Sequence, residues 1–80
     1  MPTLSLYHYR GCYFCRLVLQ AAQRYGVEVE LRDIHQDSRY REQLIEARGR
    51  KTVPVLRIEH GDDVQWLAES RQIISFLADL

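Results

Sequence analysis

Cys12 and Cys15, separated by Tyr13-Phe14, are the only cysteines in the chain, and they stand where an extended N-terminal run gives way to a helical pattern. Two thiols at this spacing can cycle between dithiol and disulfide, supply half of a metal site, or sit inertly in a core. If the helix begins near Cys12, that sulfur faces unpaired backbone N–H groups and the positive end of the helix dipole, both of which favour a thiolate. Cysteines so placed fall from a free pKa near 8.5 to roughly 3.5–7.5. Arg10 can add supporting positive charge. Cys15, one turn further in, is close enough to form a disulfide and should be the more covered thiol. Cys12 is therefore expected to be the exposed nucleophile and Cys15 an optional resolving thiol.

The other two uses of the pair are weaker. Closed structural zinc needs four ligands, and the sequence offers no second cysteine pair, while His8, His35 and His60 fall on strands or loops without paired spacing. Inert burial fits poorly with a strand-turn-helix context, where a redox pair is expected. The chain has 80 residues, 46% of them apolar and 28% charged, with 11 basic balanced by 11 acidic side chains. That balance describes one soluble domain over residues 1–80 and argues against nucleic acid as the main partner. No run is apolar enough to span a bilayer, and Met1-Pro2-Thr3-Leu4 lacks the layout of a secretory signal, so no membrane partner and a cytoplasmic location are expected.

The elements that must position the cysteines follow from periodicity. Leu4, Leu6 and His8 alternate with Thr3, Ser5 and Tyr7 in a first strand that ends at Arg10-Gly11. Phe14, Leu17, Val18, Ala21 and Tyr25 recur at helical spacing, with Gly26 as a stop. Val27, Val29 and Leu31 alternate with Glu28, Glu30 and Arg32, giving a second strand with one apolar face. Strand, helix and strand in so short a span make a βαβ unit with parallel strands and a right-handed crossover. Asp37 or Ser38 can cap a second helix whose apolar positions are Tyr40, Leu44, Ile45 and Ala47, ending at Gly49. Val53 to Ile58 reads as a third strand, Gly61-Asp62-Asp63 as a turn, and Val64 to Leu67 as a fourth strand antiparallel to the third. Ser70 to Leu80 closes the chain as a helix with Ile73, Ile74, Leu77 and Leu80 on one face, and Trp66 is expected in the core. The order is βαβαββα: an α/β fold with a four-stranded mixed sheet flanked by helices.

These residues resemble the glutaredoxin family, whose fold is thioredoxin-like, over essentially the whole chain. Tyr13 stands where the family's Cys-Pro-Tyr-Cys has proline, and Phe14 keeps the aromatic. Thr52-Val53-Pro54 matches the family's Thr-Val-Pro element, and the resemblance implies a cis proline facing the cysteines, with Val53 offering its backbone to the cysteinyl part of glutathione. Glu69-Ser70 looks instead like the opening of the last thioredoxin-fold helix in glutathione transferases, where an acid and a serine can meet the ammonium and carboxylate of the γ-glutamyl end. By resemblance Lys51, beside Arg48 and Arg50, lies where glutaredoxins place a cation for the glycine carboxylate. Arg10 and Tyr7 are further but weaker possibilities.

The resemblance implies a glutathione-dependent thiol-disulfide oxidoreductase that acts on protein-glutathione mixed disulfides and disulfides through Cys12. Glutathione is its co-substrate and no metal is needed. Glutathione would contact Tyr13, Phe14, Lys51, Thr52, Val53, Pro54, Glu69 and Ser70, the partners would be glutathionylated proteins, and a monomer is expected. The rival is a module that holds an iron–sulfur cluster between two copies through Cys12 and glutathione thiols. The absent proline favours it; the second cysteine and the absent Cys-Gly-Phe-Ser pattern count against it. Transferase activity is a third possibility, limited by the missing helical domain that completes the second-substrate pocket in those enzymes.

Overall fold

The computed structural model describes residues 2–80 and has the order β1 (Thr3–His8), α1 (Tyr13–Arg24), β2 (Glu30–Asp33), α2 (Ser38–Arg48), β3 (Val55–His60), β4 (Asp63–Ala68) and α3 (Ser70–Ala78). The four strands form one mixed sheet in the order β2-β1-β3-β4, with β1 and β2 parallel and the other pairs antiparallel. This is the thioredoxin-like βαβαββα arrangement expected from the sequence.

Alternation in β1 divides the core into two layers. Leu4 and Leu6 point to the side covered by α1 and α3, where they meet Val18, Ala22, Leu56, Ile58, Ile73 and Leu77. Tyr7 points to the other side, packing with Ile34, Val55 and Leu44 of α2. Ser5 shares that second face and is fully buried, and its hydroxyl has no hydrogen-bond partner. Tyr7, also fully buried, is satisfied: its hydroxyl donates to Gln43 Oε1 at 2.6 Å and accepts from Arg32 Nη1 at 2.7 Å. Tyr7 is thus a core residue with a polar tether. Trp66 is half-buried, with its ring 5.5 Å from that of Tyr7 and the Arg57 guanidinium 5.8 Å over its face.

Several expectations shift. The buried stripe of α1 is Cys15, Val18, Ala21 and Ala22, so Phe14 and Tyr25, expected on the buried face, lie outside it at 55% and 45% exposure. The stripe is set by the close packing of α1 on α3 and the sheet, which small side chains permit. Strand β2 starts three residues later than its apolar alternation suggested, and Leu31 is half-exposed because β2 is an edge strand with no neighbour beyond it. In α2 only Leu44 is buried, while Ile45 and Ala47 face solvent. Strand β3 begins at Val55, since Pro54 has no N–H to donate to a ladder. Helix α3 ends at Ala78, which leaves Leu80 beyond it and exposed. Caps follow the sequence reading: Asp37 accepts from the Arg39 N–H at 2.9 Å, and Gly49 closes α2 at φ 73°.

The two buried hydroxyls of β1 should respond oppositely to removal. Ser5→Ala removes a group without a partner and is expected to leave stability unchanged or raise it by up to about 1 kcal/mol, whereas Tyr7→Phe strips a partner from Gln43 and Arg32 and should cost about 1–2 kcal/mol. Urea unfolding followed by circular dichroism reads both; destabilisation by Ser5→Ala would show that its hydroxyl is satisfied.

Candidate active site

Three separate stretches converge because of sheet register. Tyr7, Val55 and Ala68 stand opposite one another across β1, β3 and β4. The chain leaves this row toward Cys12 after β1, enters it from Thr52-Val53-Pro54 before β3, and leaves it again at Glu69-Ser70 after β4. All three segments therefore emerge at one end of the sheet. The Val53–Pro54 bond is cis, as the resemblance implied.

Cys12 is the N-cap of α1. Its backbone is extended, at φ −74° and ψ 116°, and its Sγ accepts the Cys15 N–H at 3.3 Å. Its own N–H donates to the Tyr9 carbonyl at 3.2 Å, which ties the cap to the end of β1. The first turn of α1 holds no acidic residue that would oppose a negative sulfur. Both thiols are free, and the pair is asymmetric in the expected sense, though less open than expected: Cys12 is 8% exposed and Cys15 is 1% exposed. Cys12 is drawn inward because its sulfur turns back to cap the helix. Burial above all, with the hydrogen bond to Cys12 next, pushes the Cys15 thiol up to about 12.

Around the pair, Tyr13 and Phe14 are exposed and pack edge to face with ring centroids 5.2 Å apart. Arg10, Lys51 and Thr52 are exposed, and Val53 is half-buried just outside the β3 ladder. Arg48 has a buried Nε without a partner at the end of α2. Glu69 occupies the N-cap position of α3 at φ 69° and ψ 127°, with no side-chain capping bond, and Ser70 is the first helical residue. An ordinary capping role for Glu69 is thereby removed. The positive φ is uncommon for a residue with a Cβ and strains the backbone by about 1–3 kcal/mol.

Two neighbours of the site were not singled out from the sequence as site residues. The rings of Tyr9 and His35 stack with centroids 4.5 Å apart, joining the loop before Cys12 to the loop after β2. Asp33 builds that second loop by accepting the N–H groups of His35 at 2.8 Å and Gln36 at 3.2 Å. Partial burial opposes the Asp33 carboxylate, but these donors and the nearby His8 and His35 outweigh it and hold its pKa below the usual carboxylate value. Burial pushes the His8 imidazole below its usual value, against the pull of Asp33. The signal for this loop was present in Asp33 and the residues after it, which form an Asx-type turn.

The chain was compared with known proteins. A family model described as glutathione S-transferase, N-terminal domain, matches residues 6–80. Among solved structures, a maleylacetoacetate isomerase from Anaeromyxobacter dehalogenans with bound dicarboxyethyl glutathione and citrate is similar at 28% identity and a TM-score of 0.75, covering 98% of this chain and 36% of that one. A trimeric glutathione transferase of Leishmania is 25% identical, with a TM-score of 0.80, over 96% of this chain and 17% of that one. An omega-class glutathione transferase from Trametes versicolor shares the fold, at a TM-score of 0.81 and 18% identity, over 99% of this chain and 36% of that one. The chain thus spans about a third of the length of the isomerase it resembles. The comparison with curated protein sequences finds no match. Thioredoxin-like topology is common to glutaredoxins and transferases, and the matching family model lies on the transferase side, where Glu69-Ser70 already pointed. The chain belongs to the glutathione S-transferase N-terminal domain family.

Proposed function

We propose that this domain binds glutathione and uses Cys12 for glutathione-dependent thiol-disulfide exchange. The observation that carries the reading is the unequal pair: Cys12 Sγ receives a backbone N–H at the start of α1, while Cys15 lies beneath it, nearly inaccessible and held protonated at neutral pH. Glutathione would lie across the end of the sheet. Val53 would pair its backbone with the cysteinyl residue, Lys51 would meet the glycine carboxylate, and Glu69 and Ser70 would receive the γ-glutamyl ammonium and carboxylate. The bound ligand of the maleylacetoacetate isomerase, a glutathione conjugate, supports the class of ligand.

In the reaction, the Cys12 thiolate attacks the glutathione sulfur of a mixed disulfide. A Cys12–glutathione disulfide forms, and the target protein leaves as a thiolate that takes up a proton. A second glutathione thiolate then attacks the glutathione sulfur of that disulfide, releasing oxidised glutathione and restoring the Cys12 thiolate. Cys15 can displace glutathione only as a thiolate, which its burial disfavours, so the cycle runs mainly through one cysteine.

A glutathione-coupled assay on a small mixed disulfide tests this directly, run beside conjugation of an electrophile. Cys12→Ser should abolish mixed-disulfide turnover, while Cys15→Ser should keep it within a few-fold of the parent. Equal loss in both variants, or conjugation without disulfide turnover, would overturn the proposal.

The raised Cys15 pKa gives a pH signature. Glutathione release from isolated Cys12-glutathionylated protein, without added thiol, needs the Cys15 thiolate. Burial, the largest cause of the raised Cys15 pKa, persists in that species, so the rate should climb with pH between about 7 and 9 as the thiolate fraction grows. Mass spectrometry of timed samples reads it, and a flat profile would refute the assigned cause.

Glu69 separates ligand binding from folding. Glycine accepts its φ of 69° without strain, so Glu69→Gly should leave the melting temperature equal or higher while weakening glutathione binding about tenfold by calorimetry. Full-strength binding by the variant would remove Glu69 from the site.

A further inference from the structure

We infer, on the thiol-disulfide reading of this site, that the end of the sheet around Cys12 docks an acidic segment of the target protein, the stretch flanking its glutathionylated cysteine. The 11 basic and 11 acidic side chains cancel in number but not in place. Arg10 lies in the loop before Cys12, Arg16 closes the first turn of α1, Arg50 and Lys51 precede Thr52-Val53-Pro54, and Arg71 is the second residue of α3. All are exposed, and none makes an ion pair among the described residues. At the opposite end of the sheet Glu28, Asp62, Asp63 and Asp79 are exposed and equally unpaired, with Arg24 as the unpaired cation among them.

Folding gives no reason for this distribution. Helices α1 and α3 both begin at the cysteine end, so the positive ends of their dipoles already point there. Acidic side chains would stabilise those helix starts; the first turns of both hold none, and Arg16 and Arg71 stand there instead. Neither cation has a carboxylate one turn along its helix, where Gln20 and Ser75 lie. Asp79 sits at the negative end of α3, again against the dipole. Side chains and helices thus add to one field, positive around Cys12. An arrangement that works against helix stability is accounted for by an anionic partner.

Glutathione uses only part of this charge. In the pose proposed above, Lys51 meets its glycine carboxylate and Glu69 its ammonium, and its two carboxylates and one ammonium leave it a single net negative charge. The remaining acids at this end are occupied: Asp33 accepts the N–H groups of His35 and Gln36, and Asp37 holds Arg39. Arg10, Arg16, Arg50 and Arg71 are left over, around the sulfur at which the target protein must be presented. Tyr13 and Phe14, 63% and 55% exposed, lie between Arg10 and Arg16 in the chain and add an apolar contact that a simple anion would not use. Carboxylates and an apolar side chain beside a modified cysteine match this surface, and the field that steers them in raises the encounter rate.

Glutathionylated peptides whose cysteine is flanked by aspartate, alanine or lysine test the proposal, assayed for turnover by the full chain and, by fluorescence anisotropy, for binding to a Cys12→Ser chain. At about 0.15 M salt, where the Debye length is about 8 Å, kcat/KM for the acidic peptide should exceed that for the alanine peptide about tenfold, and the lysine peptide should fall below both. The preference should vanish at about 1 M salt, where that length is about 3 Å. Exposed charge contacts are weak singly, so Arg16→Gln should cut the acidic-to-alanine ratio about twofold to threefold. Arg16→Lys should keep the ratio, and Asp62→Lys, a larger change of net charge at the far end, should leave it unmoved. Equal use of the three peptides, or a preference that survives high salt, would overturn the docking and leave the thiol chemistry standing. Absence of turnover with every peptide would instead overturn the thiol-disulfide reading, and the anisotropy ranking on the Cys12→Ser chain would still decide the docking. Tighter binding of oligothymidylate or of phosphatidylglycerol vesicles than of the acidic peptide would also sink it, by assigning the surface to another class of partner.

Discussion

Strand β3 is paired on both sides, to β1 and to β4, and its buried Leu56 and Ile58 leave it one register. A slip of one residue would turn Leu56 out of the layer formed with Leu4, Leu6, Val18 and Ile73. A slip of two would preserve that facing but move Pro54 about 7 Å along the sheet. The alignment of Tyr7, Val55 and Ala68 thus depends on the apolar core, and that alignment brings Cys12, Val53-Pro54 and Glu69-Ser70 to one end. Site geometry here is a consequence of core packing at a distance. Substitutions in the layer under α1 and α3 should act on the site through register, even where they touch none of its residues.

The two N-capped helices near this end show how one structural position serves different purposes. Asp37 caps α2 with a carboxylate, which satisfies the Arg39 N–H and engages the Arg39 guanidinium as well. Cys12 caps α1 with sulfur, a weaker acceptor whose contact with the Cys15 N–H is correspondingly long at 3.3 Å. A polar oxygen at position 12 would cap better. In the proposed chemistry sulfur brings a nucleophile to the position that the cap fixes at the start of α1. Cys15 follows from the same geometry: one turn along the buried stripe, it falls among core residues, and burial raises its pKa.

Element order, sheet composition and the helix caps at Asp37 and Gly49 were legible because each rests on local chemistry: alternation, a capping carboxylate, a glycine at positive φ. Cys12 as an N-cap was legible for the same reason. Facing was less so. Phe14 and Tyr25 have the spacing of a buried stripe, and only the approach of α3 to α1 decides that Cys15, Val18 and Ala22 take it instead. Leu31 alternates like a core residue, yet an edge strand offers it no cover. The Tyr9–His35 stack joins two loops that are distant in sequence, and no local pattern reports such a contact. The resemblance to glutaredoxins rested on the cysteine pair and Thr-Val-Pro, motifs shared across thioredoxin-like folds; Glu69-Ser70 carried the family-specific information.

Glu69 shows how the fold sustains an unfavourable conformation. Its positive φ persists because both neighbours are fixed: Ala68 lies in the β4 ladder opposite Val55, and the Glu69 carbonyl accepts the Ile73 N–H at 3.1 Å to start α3. Helix α3 is in turn anchored by Ile73 and Leu77, both essentially inaccessible. The strain is confined to one residue whose side chain caps nothing. Packing explains how that conformation survives but gives no reason for an acidic side chain there, since glycine would satisfy the same backbone without strain. A carboxylate kept in that position, at the same end of the sheet as Cys12 and beside the first N–H groups of α3, sets a negative side chain next to a site of opposite polarity. In the proposed reading, the ammonium and carboxylate on one carbon at the γ-glutamyl end of glutathione would meet that pair of charges.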